Sequence, residues 1–164
     1  YKIRDKISVK MSSDDFSLIE VTNDIHEGKY KKKHHAIFDS NQMKIISDKK
    51  YLEVNNKVHT PLSSIFSLQS QKLKKNDTYK YNIYNLGKLK EVNISVLEKE
   101  KIKTPFGSYQ SIVVSPKSID GTHAISNKGD MKIWFSDDEK QIPLKIEIKI
   151  KHGSISLLLE SIEQ

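Results

Sequence analysis

A mainly β fold is what this 164-residue chain predicts: a curved antiparallel sheet, an open half-barrel, with one amphipathic helix packed across it. Three observations carry that expectation. Apolar residues recur with period two through most of the chain, turn residues interrupt the alternation at hairpin spacing, and a single segment shows helical spacing.

The alternation is explicit. Ile7, Val9 and Met11 are separated by Ser8 and Lys10, and Tyr79, Tyr81 and Ile83 by Lys80 and Asn82. Val92, Ile94 and Val96 follow the same rule, as do Leu144, Ile146, Ile148 and Ile150, and then Ile155, Leu157 and Leu159. Such strands have one apolar face and one wet face, the signature of an antiparallel sheet. Asn85-Leu86-Gly87-Lys88, Thr104-Pro105-Phe106-Gly107, Ser136-Asp137-Asp138-Glu139-Lys140 and His152-Gly153 supply the turns. Proline fixes φ there, and glycine adopts positive φ without a Cβ penalty. Connections this short favour a meander over parallel βαβ units. Thr60-Pro61 reads as a helix start, with threonine as N-cap and proline at the first helical position. Leu62, Ile65, Phe66 and Leu73 then fall on one stripe, which predicts a helix over 61–73 lying against the sheet. Ser118 to Gly129 has no periodicity and is expected to be the longest loop.

Length bounds the chain to one domain over 1–164. It opens on Tyr1-Lys2-Ile3-Arg4-Asp5, without an apolar leader core, as though inside a strand. The expectation is a domain lacking its native signal peptide and first strand or strands. No run of apolar residues is long enough for a membrane-spanning helix. Cysteine is absent, which excludes disulfides, thiolate metal sites and cysteine catalysis. The net charge of +7 is uneven: residues 1–82 carry 16 basic against 10 acidic residues, and residues 83–164 carry 12 against 11. Only Arg4 among the 28 basic residues is arginine. That argues against specific nucleic-acid recognition, which exploits the arginine fork. Two basic clusters, Lys31-Lys32-Lys33 and Lys72, Lys74 and Lys75, would suit an anionic partner or peripheral contact with an anionic membrane surface. Their plainer reading is a solvated face that keeps sheet edges from pairing.

Candidate chemistry is sparse. His34 and His35 are adjacent on a strand, so they point to opposite faces and cannot share an ion without a bulge; both read as surface histidines on a polar strand. Asp39, His26 and Glu27 do not complete a ligand set. Asp137-Asp138-Glu139 lacks the glycine and further ligands of a calcium loop and reads as a polar turn. Serines are plentiful, yet none sits in a nucleophile elbow, and the six glycines form no phosphate loop. No catalytic residue, metal ligand or cofactor site is therefore assigned. The candidate ligand-binding residues are aromatic: Phe66, Tyr79, Tyr81, Trp134 and Phe135. Trp134 and Phe135 are sequence neighbours, so one enters the core and the other meets the helix or a cavity.

The last third, Gly129-Asp130-Met131-Lys132-Ile133-Trp134-Phe135-Ser136-Asp137-Asp138, then Gln141-Ile142-Pro143-Leu144-Lys145-Ile146 and Gly153-Ser154-Ile155, resembles an exported bacterial family, domain of unknown function 3108. Earlier pieces fit the family's order: Ile25-His26-Glu27-Gly28-Lys29-Tyr30, Phe38-Asp39, Pro61-Leu62-Ser63-Ser64-Ile65-Phe66 and Thr104-Pro105-Phe106-Gly107-Ser108-Tyr109. Thr60 and Gln69 or Gln71 depart from charges that the family often carries. The resemblance implies export to the periplasm or cell envelope and no known activity. The strand–Trp–Asp turn–Pro–strand ending is also similar, distantly, to periplasmic lipoprotein carriers with a β half-barrel. Three functions stay open: a non-catalytic envelope protein holding a lipid or other hydrophobic small molecule in the concave face under 61–73; an interaction or scaffold domain for an envelope protein partner; and an enzyme of unknown reaction.

Overall fold

A computed structural model describes residues 3–48, 50–119, 130–150 and 153–162. The fold is mainly β with one helix, as the periodicity predicts, and its strands are shared between two sheets. The first sheet has the order β1-β2-β3-β4-β5, with β1 Lys6–Met11, β2 Leu18–Glu27, β3 Tyr30–Asp39, β4 Lys44–Ser47 and β5 Lys50–Glu53. Helix α1, Pro61–Gln69, follows the two-residue β6, Val58–His59. The second sheet also contains β7 Thr78–Asn85, β8 Lys88–Thr104, β9 Gly107–Ser118, β10 Met131–Ser136, β11 Pro143–Ile150 and β12 Gly153–Leu158, in the order β12-β11-β10-β9-β8-β7-β6. Its strands pair antiparallel from β8 to β12, whereas β6 and β7 pair parallel. The expected loop at 118–129 falls mostly outside the described residues, with Ser118 closing β9.

The chain divides into two compact units. One comprises Tyr1–Ser67 with Asn82–Lys90, the other Leu68–Tyr81 with Glu91–Gln164. In the first, Leu18, Val21, Ala36, Phe38, Ile45, Val54, Val58 and Tyr84 form a continuous buried cluster, with Val9, Met43 and Leu89 packed at its margin. The inward residues of β3 are His34, Ala36 and Phe38, and the outward ones Lys33, His35 and Ile37. In the second unit, Val92, Ile94 and Val96 of β8, Ile112 and Val114 of β9, Ile133 and Phe135 of β10 and Leu144 of β11 are all buried.

Three of the expected turns are present. Leu86 and Gly87 both have positive φ, 49° and 87°, the two-residue hairpin geometry whose twist matches that of the flanking strands. Gly107 at φ 144° closes the Thr104–Gly107 turn, where Thr104 Oγ1 accepts the Phe106 N–H at 3.2 Å. In the 136–140 turn, Asp138 Oδ1 accepts from Ser136 Oγ and from the Lys140 and Gln141 N–H groups at 2.9–3.1 Å.

The helix begins as expected. Thr60 Oγ1 accepts the Ser63 N–H at 3.0 Å, and Ser63 Oγ accepts the Thr60 N–H at 2.9 Å, a reciprocal cap that satisfies two donors. It differs from expectation in length and facing. It ends at Gln69, four residues early, because the Gln141 side chain takes over the backbone groups beyond it. Gln141 Nε2 donates to the Gln69 and Gln71 carbonyls, and its Oε1 accepts the Leu73 N–H at 3.1 Å. Leu73 is buried outside the helix. The buried face carries Ser63, Ser64, Ile65, Ser67 and Leu68, while Leu62 and Phe66 are 42% and 39% exposed. Small serines can be buried on a helix because their hydroxyls bond locally, as Ser64 Oγ does to the Pro61 carbonyl at 2.8 Å.

Candidate functional site

The last strand, β12, exposes apolar surface that the alternation would otherwise hide. Among the described residues β12 is the last strand of its sheet, and no described strand lies beyond it to complete the cover. All six of its residues are exposed, with Ile155 at 48%, Leu157 at 58% and Leu158 at 43%. A shallow open depression of about 170 Å³ lies on the same hairpin, lined by Pro143, Leu144, Lys145, Ile146, Leu157, Leu158 and Leu159. Its volume is below the roughly 300–1,000 Å³ of enclosed small-molecule sites, and it suits a short linear segment better than a whole lipid.

The predicted aromatic residues are dispersed. Phe66 stands on the exposed side of α1, its ring stacked on Phe16 at 6.2 Å, within the first unit. The other four belong to the second unit. Tyr79 is half-buried and donates its hydroxyl to the Lys72 carbonyl at 3.2 Å. Tyr81 and Phe135 are buried, the latter completely. Trp134 is also buried, although its neighbour Phe135 already occupies the apolar face. Its own face is the wet one, and long charged side chains cover it. Indole Nε1 donates to Glu100 Oε2 at 3.1 Å, and Lys145 Nζ lies 4.5 Å from the ring centroid. Lys145 also pairs with Glu147 at 2.7 Å, which holds the Glu147 carboxyl below its ordinary value. Lysine and glutamate stems can thus wall off an aromatic ring while their charged ends reach water. In the sequence the depression's apolar residues read as core, because aliphatic alternation does. The edge position of β12 was the missing signal.

In the first unit, the expectation for His34 is corrected. It is a core residue, 7% exposed, whose Nε2 lies 2.8 Å from the hydroxyl of Tyr84, itself 1% exposed. Tyr84 ends its hydroxyl among the Ser47 side chain and the Gly87 backbone. Burial, aided by the positive charges of Lys32 and His35, pushes the His34 pKa down from 6.5, with Asp48 opposing. Burial pushes the Tyr84 phenol up. His35 does face the other side and pairs with Glu20 at 2.8 Å, and His26 pairs with Asp24 at 2.9 Å. Among the described residues, no three histidine or carboxylate side chains converge as a metal set.

The two lysine clusters belong to different units. Lys31 and Lys33 are exposed on β3 and Lys32 is half-buried, with Lys33 reaching Asp24 at 3.7 Å. Lys72, Lys74 and Lys75 are exposed between α1 and β7. Asp137, in the acidic turn, pairs with Lys99 at 2.7 Å.

Comparison with known proteins finds one family: the model described as protein of unknown function, DUF3108, matches residues 1–160. No curated protein matches the chain. No solved structure matches it.

Proposed function

Because the chain belongs to the DUF3108 family, whose description assigns no activity, we propose a function from the geometry: a non-catalytic binding domain of the bacterial cell envelope that takes a hydrophobic ligand on its β11–β12 face. The observation that supports this is the open apolar depression, bordered by Leu157 and Leu158, on a strand whose every residue is exposed. Contiguous exposed apolar surface is unfavourable unless something covers it. The ligand class that fits is a linear alkyl segment such as part of an acyl chain, since the depression is open, narrow and aliphatic. Lys145 at its rim, held by Trp134 and Glu147, supplies a cation beside an otherwise apolar lining. An acyl chain ending in an anionic group satisfies both features.

Titration of the full chain with a fluorescent fatty acid tests this. Saturable binding is expected, weakened about tenfold or more in Leu157→Asp, the equivalent of about 1.4 kcal/mol. Leu157 is 58% exposed, so the substitution leaves the core intact. Mass spectrometry of organic extracts of protein isolated from its native envelope fraction should find a stoichiometric hydrophobe. An empty extract, together with probe binding indifferent to Leu157→Asp, would refute the proposal.

A further inference from the structure

We propose that β12 is a self-complementary edge through which two copies of this chain pair antiparallel, joining their sheets about a two-fold axis at Ser156. The inference is independent of the ligand reading. The four edges of the two described sheets differ in how they are protected. β1 carries Lys6 and Lys10, and β5 carries Lys50 and Glu53. β6 is only two residues long, and both are buried. Charge and brevity are the usual protections of an edge against another chain. β12, Gly-Ser-Ile-Ser-Leu-Leu, has neither: it has six residues, no charge and no proline, and all of it is exposed. Among the described residues no strand lies on its outer side.

The register of that edge decides what it accepts. β12 pairs β11 with Ile146 opposite Leu157 and Ile148 opposite Ile155, and the Leu159 N–H donates to the Leu144 carbonyl at 2.9 Å. Hydrogen-bonded and non-hydrogen-bonded pairs alternate in an antiparallel ladder. Residues 153, 155, 157 and 159 therefore direct their backbone groups at β11. Ser154, Ser156 and Leu158 direct theirs outward. A second copy must meet those three with its own three. The arrangement using all of them places Ser156 opposite Ser156 and Ser154 opposite Leu158 of the other copy. It yields six backbone hydrogen bonds. The same register sets Ile155 opposite Leu157 of the other copy, so the apolar face continues across the junction. No like charges are brought together. The contact is small, which places it among weak interfaces rather than obligate ones.

The chain has no cysteine, so single-cysteine variants report the register directly. Opposite residues of a hydrogen-bonded pair have Cα atoms about 5.5 Å apart, inside the range a disulfide spans. Mild oxidation is expected to link Ser156→Cys into a covalent dimer. Ser154→Cys alone should remain unlinked, and an equal mixture of Ser154→Cys and Leu158→Cys should form the mixed dimer. Light scattering should show wild type approaching twice the monomer mass at millimolar concentration, with Ser156→Pro remaining monomeric. The Ser156 N–H points away from β11, so proline there removes an outward donor and leaves the hairpin ladder intact. Ser156→Lys, which sets two ammonium groups face to face on the axis, gives the same readout should the proline variant unfold. Wild type that stays monomeric at millimolar concentration overturns the proposal. So does a dimer in which Ser154→Cys links to itself as readily as Ser156→Cys.

Discussion

Replacing Phe135 with alanine is expected to lower the stability of the unit that contains it by about 3–5 kcal/mol. The side chain has no solvent exposure, and β10 is flanked on both edges by β9 and β11. Phe135 faces Ile112 across one ladder, and Pro143 across the other at a bulge. Strands held on both sides cannot readily close over the missing ring, so the cost includes a cavity as well as lost transfer energy. Urea titration checks this, followed by emission of Trp134, the sole tryptophan and the adjacent residue. A midpoint equal to wild type would show that the ring is not packed as described.

Tyr84→Phe is expected to cost about 1–3 kcal/mol, because the hydroxyl it removes is the partner of a buried imidazole. This pair also contributes to the acid response of the first unit. Neutral His34 and the Tyr84 hydroxyl share a single hydrogen along the 2.8 Å line from Nε2 to the oxygen, which the Ser47 side chain and the Gly87 backbone also reach. Protonation turns Nε2 into a donor, and two hydrogens then compete for the same 2.8 Å line. The folded pKa of His34 is below its ordinary 6.5, so the unfolded chain binds the proton more readily. The stabilisation is complete above pH 6.5 and is lost as pH falls from there through the folded value, at up to about 1.4 kcal/mol per pH unit for one proton. His59, whose pKa burial also lowers, adds a contribution of the same sign. Thermal melts of wild type and His34→Gln between pH 7.5 and about 5 should show a shallower acid loss in the variant, since glutamine keeps a polar group near Tyr84 without titrating. Parallel acid curves for the two proteins would remove His34 as the cause.

Much of this architecture was legible because strand alternation is a local property. The ladders from Val92 to Val96 and from Leu144 to Ile148, and the turns at Leu86-Gly87 and Asp138, follow from residues within a few positions of one another. What escaped depends on distant partners. That His34 is buried and His35 exposed was half-readable from strand parity, but parity does not say which face is covered. The partner that decides it, Tyr84, lies 50 residues away. Helix α1 reads as offering Leu62 and Phe66 to a core, and instead buries Ile65 and Leu68 together with serines, of which Ser63 bonds to Thr60 and Ser64 to Pro61. Its early end depends on Gln141, far along the chain. Trp134 and Phe135 are both buried because charged side chains cover the wet face, which alternation treats as open. The candidate surface on β12 looked like core until its place at the sheet's edge was known.

The β7–β8 turn leaves room for improvement in the chain's own economy of conformations. Leu86 occupies left-handed space at φ 49°, where an L-residue bears a cost of about 1–2 kcal/mol. Asparagine tolerates that region far better, and with Gly87 it would make the Asn-Gly pair that two-residue hairpins favour. Leu86→Asn is therefore expected to raise the melting temperature by a few degrees in a calorimetric scan, of the order that up to about 1 kcal/mol produces in a domain of this size. Selection keeps a fold above a threshold of stability and does not maximise it. This turn is where the protein carries that slack visibly, and a laboratory or a lineage in need of a tougher scaffold could draw on it without touching either sheet.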